Sequence, residues 1–385
     1  MKKRPKKPCA CSVKCRKIRA HPLKYSKEFR DPKVAARFLE ILARANDELD
    51  RVKTLMEVCG THTMAIHRHG LRSLLPDRIR LISGPGCPVC VTPVDFVDKA
   101  VALSRHKEII IATFGDMVRV PGSSTSLLKE KAKGIDLRIV YSPADAVALA
   151  VRNPHRRIVF LGVGFETTAP TVAASLLEAR DMGLKNYFLL CAHKTIPEAM
   201  DLLTRDPQLD IDGYLCPAHV SAVIGCRAYS HLAEDRRIPC VVTGFEPLDI
   251  LQGVTMLISQ ILGRRAEVEN QYSRFVRNEG NPKALEILHR VFEPCDVRWR
   301  GLGMIPGSGL RIREEFSAFD IEKCLAIDAE PAREPDGCRC GDVLKGKIGP
   351  KECPLFGAVC TPEEPVGACM VSNEGACAAA YRYGG

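Results

Sequence analysis

The chain has 385 residues, 46% apolar and 26% charged, which is ordinary globular composition, enough for two or three domains, and excludes a mostly disordered protein. No run of about 18 apolar residues occurs, so no membrane-spanning helix is expected. The formal charge of +10 is confined to one end: residues 1–30 hold twelve Lys/Arg and one acid, while the other 355 hold 44 Lys/Arg and 45 Asp/Glu, which argues against a nucleic-acid surface on the body.

Residues 1–30 read as a basic, disordered tail. No apolar segment follows them, so no secretory signal is expected and the location is expected to be cytoplasmic. In a reducing compartment, eighteen cysteines point to metal binding or redox chemistry rather than to a disulfide scaffold. Cys9, Cys11 and Cys15 of the tail show no recognisable zinc spacing.

From Asp31 onward, PKVAARFLEILARAND spaces its apolar residues as an amphipathic helix, with Pro32 near its start. A repeating unit follows. Short apolar runs rich in β-branched residues (TLMEVC, IRLIS, EIIIATF, RIVFLGVG, YFLLC, GYLC, PCVVTG) each lead into a Gly, Pro, Cys or His loop and then a helical stretch. Alternating strands and helices predict parallel α/β sheets. Seven units exceed one small sheet, so the expectation is two α/β domains, residues 31–152 and 153–300. Residues 301–385 form a third, cysteine-rich domain.

Cys59, His62, Cys87, Cys90, Glu166, His193, His219 and Glu246 all fall just past strand ends. The carboxyl edge of a parallel sheet is its ligand-binding edge, so these residues can gather in one or two clefts. In GPGCPVC, Cys87 and Cys90 form a CxxC directly after a strand, with Pro88 inside, which reads as a redox dithiol; half of a zinc site is the competing reading. In CGTHT, Cys59 precedes an expected helix whose N-terminus favours thiolate, and His62 stands beside it. Such a pair suits a nucleophile or a soft-metal ligand, whereas a lone cysteine is often only packing. In GFETTAPT, Glu166 stands at a strand end with Thr167 and Thr168 capping a helix from Pro170, and the motif reads equally as a functional carboxylate or a plain helix cap. No phosphate-binding glycine loop is evident. Cys191, Cys216, Cys226, Cys240, Cys295 and Cys324 carry no pattern and read as core thiols.

Past Gly337 large apolar residues thin out, and residues 338–377 carry six cysteines. A segment so poor in core formers needs a staple, and a metal centre supplies one. The spacing lacks the paired CxxC of a zinc ribbon and suits four thiolates on an iron–sulfur cluster, with zinc as the competing reading. Cys338, Cys353, Cys360 and Cys377 are the chosen ligands, with Cys340 as a substitute for Cys338.

MEVCGTHT, ISGPGCPVC, GFETTAPT, GFEPLDIL and CPLFGAVCTPEEPVGACMVSNEGACAA, in this order over residues 45–383, resemble the hydrogenase formation family HypD. The resemblance implies two α/β domains and a C-terminal [4Fe–4S] domain. It implies a scaffold that acts with a small HypC-type chaperone. On it, iron receives two cyanides and one carbon monoxide before transfer to the large subunit of [NiFe]-hydrogenase, and the cyanide comes from HypE and HypF. Cys59 then matches the cysteine that holds the Fe(CN)2CO unit, with His62 beside it; Cys87 and Cys90 match the redox pair, and the four chosen cysteines match the cluster motif. AHK at 192–194 and CPAHV at 216–220 depart from the expected NHK and CPGHV. Two other functions compete: a cluster-fed thiol–disulfide oxidoreductase without bound Fe(CN)2CO, and a zinc protein whose basic tail holds RNA.

Overall fold

The computed structural model describes residues 28–384. The tail reading for residues 1–27 lies outside the described residues; Glu28–Arg30 form a single 3-10 turn. The expected first helix runs Pro32–Glu48, with Pro32 opening its first turn and the Asp31 carboxylate accepting from Lys33 N–H at 2.8 Å.

All seven expected strands form: β1 (Lys53–Glu57), β2 (Ile79–Ser83), β3 (Ile109–Thr113), β5 (Arg157–Gly162), β6 (Tyr187–Cys191), β7 (Gly213–Pro217) and β8 (Cys240–Thr243). β4 (Leu137–Ile139) and β9 (Val268–Asn270) are additional three-residue edge strands. The first sheet has the order β2-β1-β7-β8-β9 and the second β4-β3-β5-β6, and every pairing in both is parallel. β1 and β3 are buried at all five positions because helices cover both faces, whereas β2, at an edge, exposes Arg80 between Ile79 and Leu81.

The division at residue 152 does not follow the sheets. The chain leaves the first sheet after β2, builds the second from β3 to β6, and returns to add β7, β8 and β9. Residues 31–152 therefore contribute strands to both sheets. Apolar strands of one type carry no mark of which neighbour they will take; burial on both faces decides it. The boundary at 300/301 likewise falls inside an antiparallel hairpin, β10 (Phe292–Trp299) with β11 (Gly303–Ile312). This hairpin lies against the second sheet, where Lys194 bridges to Gly309.

Three apolar clusters result. One runs between the sheets and into the C-terminal segment, joining Met56, Val97, Phe165, Trp299 and Cys369. A second packs Phe160, Tyr187, Phe292 and Phe316 on the outer face of the second sheet, and the third packs Leu42, Leu55, Ile66 and Leu257 on the first. Each fully buried side chain of this kind contributes about 1.5–3 kcal/mol. Among the described residues after Gly337 the helices are short, Cys340–Leu344 and Ala376–Tyr383, with single 3-10 turns between them.

Candidate functional site

Cys59 leaves β1 in extended conformation and caps the helix Gly60–Arg68. The loop after β2 meets it backbone to backbone: Gly84 N–H donates to Glu57 O at 2.7 Å, and Gly60 N–H to Gly86 O at 3.0 Å. A Cβ on Gly86 would stand 2.1 Å from Cys59 N, so only glycine permits this approach. Beneath lies Glu57, fully buried, with Oε2 accepting from Cys59 N–H at 3.1 Å and Oε1 from the Thr63 hydroxyl. Burial pushes the Glu57 carboxyl up to about 7 against those bonds.

The helix N-terminus favours thiolate at Cys59, as expected from the sequence, but burial outweighs it. Burial and the nearby Glu374 carboxylate push its thiol up to about 12, against the weaker pull of the His62 and Thr61 N–H groups. Desolvation outweighs a helix end worth about 0.3–1 kcal/mol. A cation at the sulfur is what deprotonates such a thiol.

His62 is fully buried and neutral; burial pushes its pKa down to about 4. Its Nε2 donates to Thr243 O at 3.0 Å and Gly244 O at 2.9 Å, both from the end of β8. Those acceptors fix the tautomer by inference, and Nδ1 keeps its lone pair, buried without a hydrogen-bond partner among the described residues. Phe245 lies between the two imidazoles, 4.8 Å from the His62 ring and 4.1 Å from that of His219. Glu246, by contrast, turns to a cap of helix Pro247–Leu262 and an ion pair with Arg30, and takes no part in this group.

Cys87 and Cys90 are joined as a disulfide across the helical turn Pro88–Val91, with Cα atoms 5.3 Å apart. Cys90 Sγ also lies 3.9 Å from Ala368 O. The turn therefore touches the Cys59 loop on one side, through Gly86, and the C-terminal segment on the other. That segment continues over Cys59: a Cβ on Gly60 would fall 2.3 Å from Glu374 Cβ, and Thr61 Oγ1 donates to Glu374 Oε1 at 3.0 Å.

The four chosen cysteines, Cys338, Cys353, Cys360 and Cys377, line one narrow cavity together with Cys340 and Cys369. The neighbouring Cys338 and Cys369 draw Cys340 toward thiolate, while the Cys369 thiol is itself pushed up by Cys340 and Cys377. Val366 N–H points at Cys360 Sγ at 3.3 Å, and a Cβ on Gly367 would lie 2.7 Å from Cys338 Sγ. Among the described residues no three His, Cys, Asp or Glu close on a single metal ion. A cubane is wider than an ion and takes thiolates set farther apart, so the donor set (all sulfur, apolar walls, backbone N–H aimed at sulfur) fits an iron–sulfur cluster better than zinc.

Glu166 lies at the edge of the second sheet, not beside Cys59. Its Oε1 accepts from Ile196 N–H at 2.9 Å, at the start of helix Ile196–Thr204, while Oε2 is buried without a partner among the described residues; burial pushes the carboxyl up to about 8. The neighbouring helix begins at Ala169 rather than Pro170, and Thr168 Oγ1 bonds to Phe165 O instead of capping it. His193 Nδ1 stands 3.5 Å from Cys191 Sγ. Cys216, Cys226 and Cys240 are buried thiols as expected, but Cys191 and Cys295 are half-buried and Cys324 is exposed. Sequence reasoning missed Glu57, Cys369 and Glu374. Glu57 carried a signal, a carboxylate inside an otherwise apolar strand; Cys369 and Glu374 carried none beyond their place in a cysteine-rich segment.

Residues 33–384 match the family model HypD, described as "Hydrogenase formation hypA family". Among similar proteins, the hydrogenase maturation factor HypD of Rhodobacter capsulatus is 46% identical over 372 residues, covering 94% of this chain and 99% of that protein. The hydrogenase maturation factor HypD of Escherichia coli (strain K12) is 45% identical over 368 residues, covering 94% and 98%. The hydrogenase expression/formation protein HupD of Azotobacter chroococcum mcd 1 is 47% identical over 371 residues, covering 94% and 97%.

Proposed function

The chain belongs to the HypD family of hydrogenase maturation factors, and from that premise we propose that it is the scaffold on which, with a HypC-type chaperone, iron acquires two cyanides and a carbon monoxide before delivery to the large subunit of [NiFe]-hydrogenase. The observation that carries this reading is the contiguity of three sulfur groups. The Cys59 loop, the Cys87–Cys90 turn and the six-thiol cavity touch in series, through Gly86 and through Ala368.

In this reading Cys59 holds the iron substrate. Buried and neutral at rest, its thiol loses its proton only when the cation arrives, which ties occupancy to charge neutralisation. His62 offers a neutral imidazole with its lone pair at Nδ1. The dithiol form of Cys87 and Cys90 supplies the electrons for cyanide release from a HypE/HypF-type carrier. An S–CN bond breaks, the carrier leaves as a thiol and cyanide departs as the anion. The two cysteine sulfurs form their disulfide, giving up the two electrons that break the S–CN bond and two protons, one to the carrier thiol and one to solvent. A cluster bound by four of Cys338, Cys340, Cys353, Cys360, Cys369 and Cys377 would supply electrons one at a time to restore the dithiol. Glu166 serves as a helper that fixes the start of helix Ile196–Thr204, at the edge of the other sheet.

Infrared spectroscopy of the protein copurified with its small partner tests the proposal, because metal-bound CN and CO absorb where protein does not. Bands are expected in the wild type. Their absence from protein that retains its cluster absorption would leave a cluster-fed thiol–disulfide oxidoreductase instead.

A further inference from the structure

We propose that Arg300 sets the reduction potential of the C-terminal thiol site, as a fixed, buried positive charge on a hairpin tip held between that site and the Cys87–Cys90 turn. This rests on the reading of the six-thiol cavity as a cluster site.

Arg300 lies at the tip of the β10–β11 hairpin, where its backbone N–H donates to Val91 O at 2.9 Å, the residue after Cys90. The next residue, Gly301, has φ of 78°, and a Cβ on it would fall 2.4 Å from Gly341 Cα, the residue after Cys340. The hairpin tip is therefore wedged between the dithiol turn and the first cysteines of the cavity. The Arg300 side chain is 2% exposed. Nε donates to Glu334 Oε2 at 3.0 Å; Nη2 is also 3.0 Å from that oxygen but off the hydrogen-bonding line, and Nη1 and Nη2 have no hydrogen-bond partner among the described residues. Among the described residues its counter-charge is Glu334, which is 58% exposed, so water screens it in part and it offsets only a fraction of the Arg300 charge.

A buried guanidinium with idle donors is costly unless negative charge stands close by. Four thiolates around an iron–sulfur core carry net negative charge, which grows by one on reduction. Burial keeps the attraction unscreened, so it favours the reduced form more than the oxidised one. Arg300 is thus a positioning residue that eases electron entry.

The test is a mediated redox titration, followed by electron paramagnetic resonance, of full-length protein purified anaerobically, with iron and acid-labile sulfide measured on the same samples. Arg300→Gln should lower the reduced-to-oxidised ratio at fixed potential about tenfold, a shift of about 59 mV for one electron. Arg300→Lys should retain most of the wild-type potential. Glu334→Gln, on an exposed side chain, should shift the potential the opposite way. Unchanged potentials in loaded Arg300→Gln and Glu334→Gln would overturn the inference while leaving the cluster reading intact. Should Arg300→Gln not hold its cluster, Glu334→Gln decides alone: an upward shift supports the inference and no shift overturns it. Wild-type protein without iron and sulfide would instead overturn the cluster reading, and this inference with it.

Discussion

At the carboxyl edge of the first sheet, the loops after β1 and β2 interlock through Gly84 and Gly86, and the cysteine-rich segment lies over them through Glu374 and Ala368. At the corresponding edge of the second sheet, the loop after β6 is covered by the β10–β11 hairpin: Thr195 N–H donates to Ser308 O at 2.9 Å and Leu310 N–H to His193 O at 3.1 Å. One cover is an antiparallel ladder with Phe292, Leu310 and Ile312 in an apolar core; the other has little regular structure and gathers thiols. Equivalent loops on two sheets thus acquire different chemistry from what closes over them. If the thiol segment is stapled by a metal, as proposed, its cover would respond to metal and to electrons, whereas a hydrogen-bonded one only encloses.

Replacement of the sulfur at the first edge gives the largest expected effect. Cys59→Ala should remove the CN and CO infrared bands completely while leaving the absorption of the thiol site near 400 nm unchanged, and Cys59→Ser should do nearly the same, since a neutral hydroxyl is a poor ligand for low-spin iron. Bands that persist in Cys59→Ala would move the iron to Cys87 or Cys90.

Next is the difference between the two covers. Cys353→Ala or Cys360→Ala should bleach the visible absorption and raise the rate of limited proteolysis within residues 338–384 about tenfold, with the β10–β11 hairpin still protected. Equal protection of both covers in these variants would mean that the cysteine segment needs no staple.

The interlocking of the first edge predicts that Gly86→Ala costs about 3 kcal/mol in urea unfolding, because the added carbon meets backbone that cannot yield. Gly183→Ala serves as a control for conformational strain: its φ is 70°, yet a Cβ there meets nothing within 4 Å. It should cost only about 1 kcal/mol. Similar losses in both would remove the argument for close packing at Gly86.

The remaining effect is one of pH and lies at the second edge. Burial holds the Glu166 carboxyl at about 8 against a reference value of 4.5. A raised carboxyl binds its proton more tightly in the folded state, so its contribution is full below about 4.5 and is lost as pH rises through about 8, with a slope of at most about 1.4 kcal/mol per pH unit. Glu166→Gln keeps an acceptor for Ile196 N–H and should flatten that slope between about pH 5 and 8 in urea titrations. A slope equal to wild type would show that Glu166 is already ionised.

Much of this was written locally. The apolar runs fixed seven strands, because a stretch such as Ile109–Thr113 is stable only when covered on both faces. Strand ends located Cys59, His62, Cys87 and Cys90, and the dearth of core residues past Gly337 marked the segment whose six thiols line one cavity. Only the tertiary structure decided which strands share a sheet, since β1 pairs with β7 across intervening chain that first adds β2 and then builds the whole of another sheet. It also decided the charge state of Cys59: a helix N-terminus is a local feature legible in sequence, whereas desolvation depends on Glu374 and the segment that buries the thiol from more than 300 residues away. Local preferences are carried by neighbours in the chain, but burial and electrostatics are carried by neighbours in space, and in this fold the two are seldom the same residues.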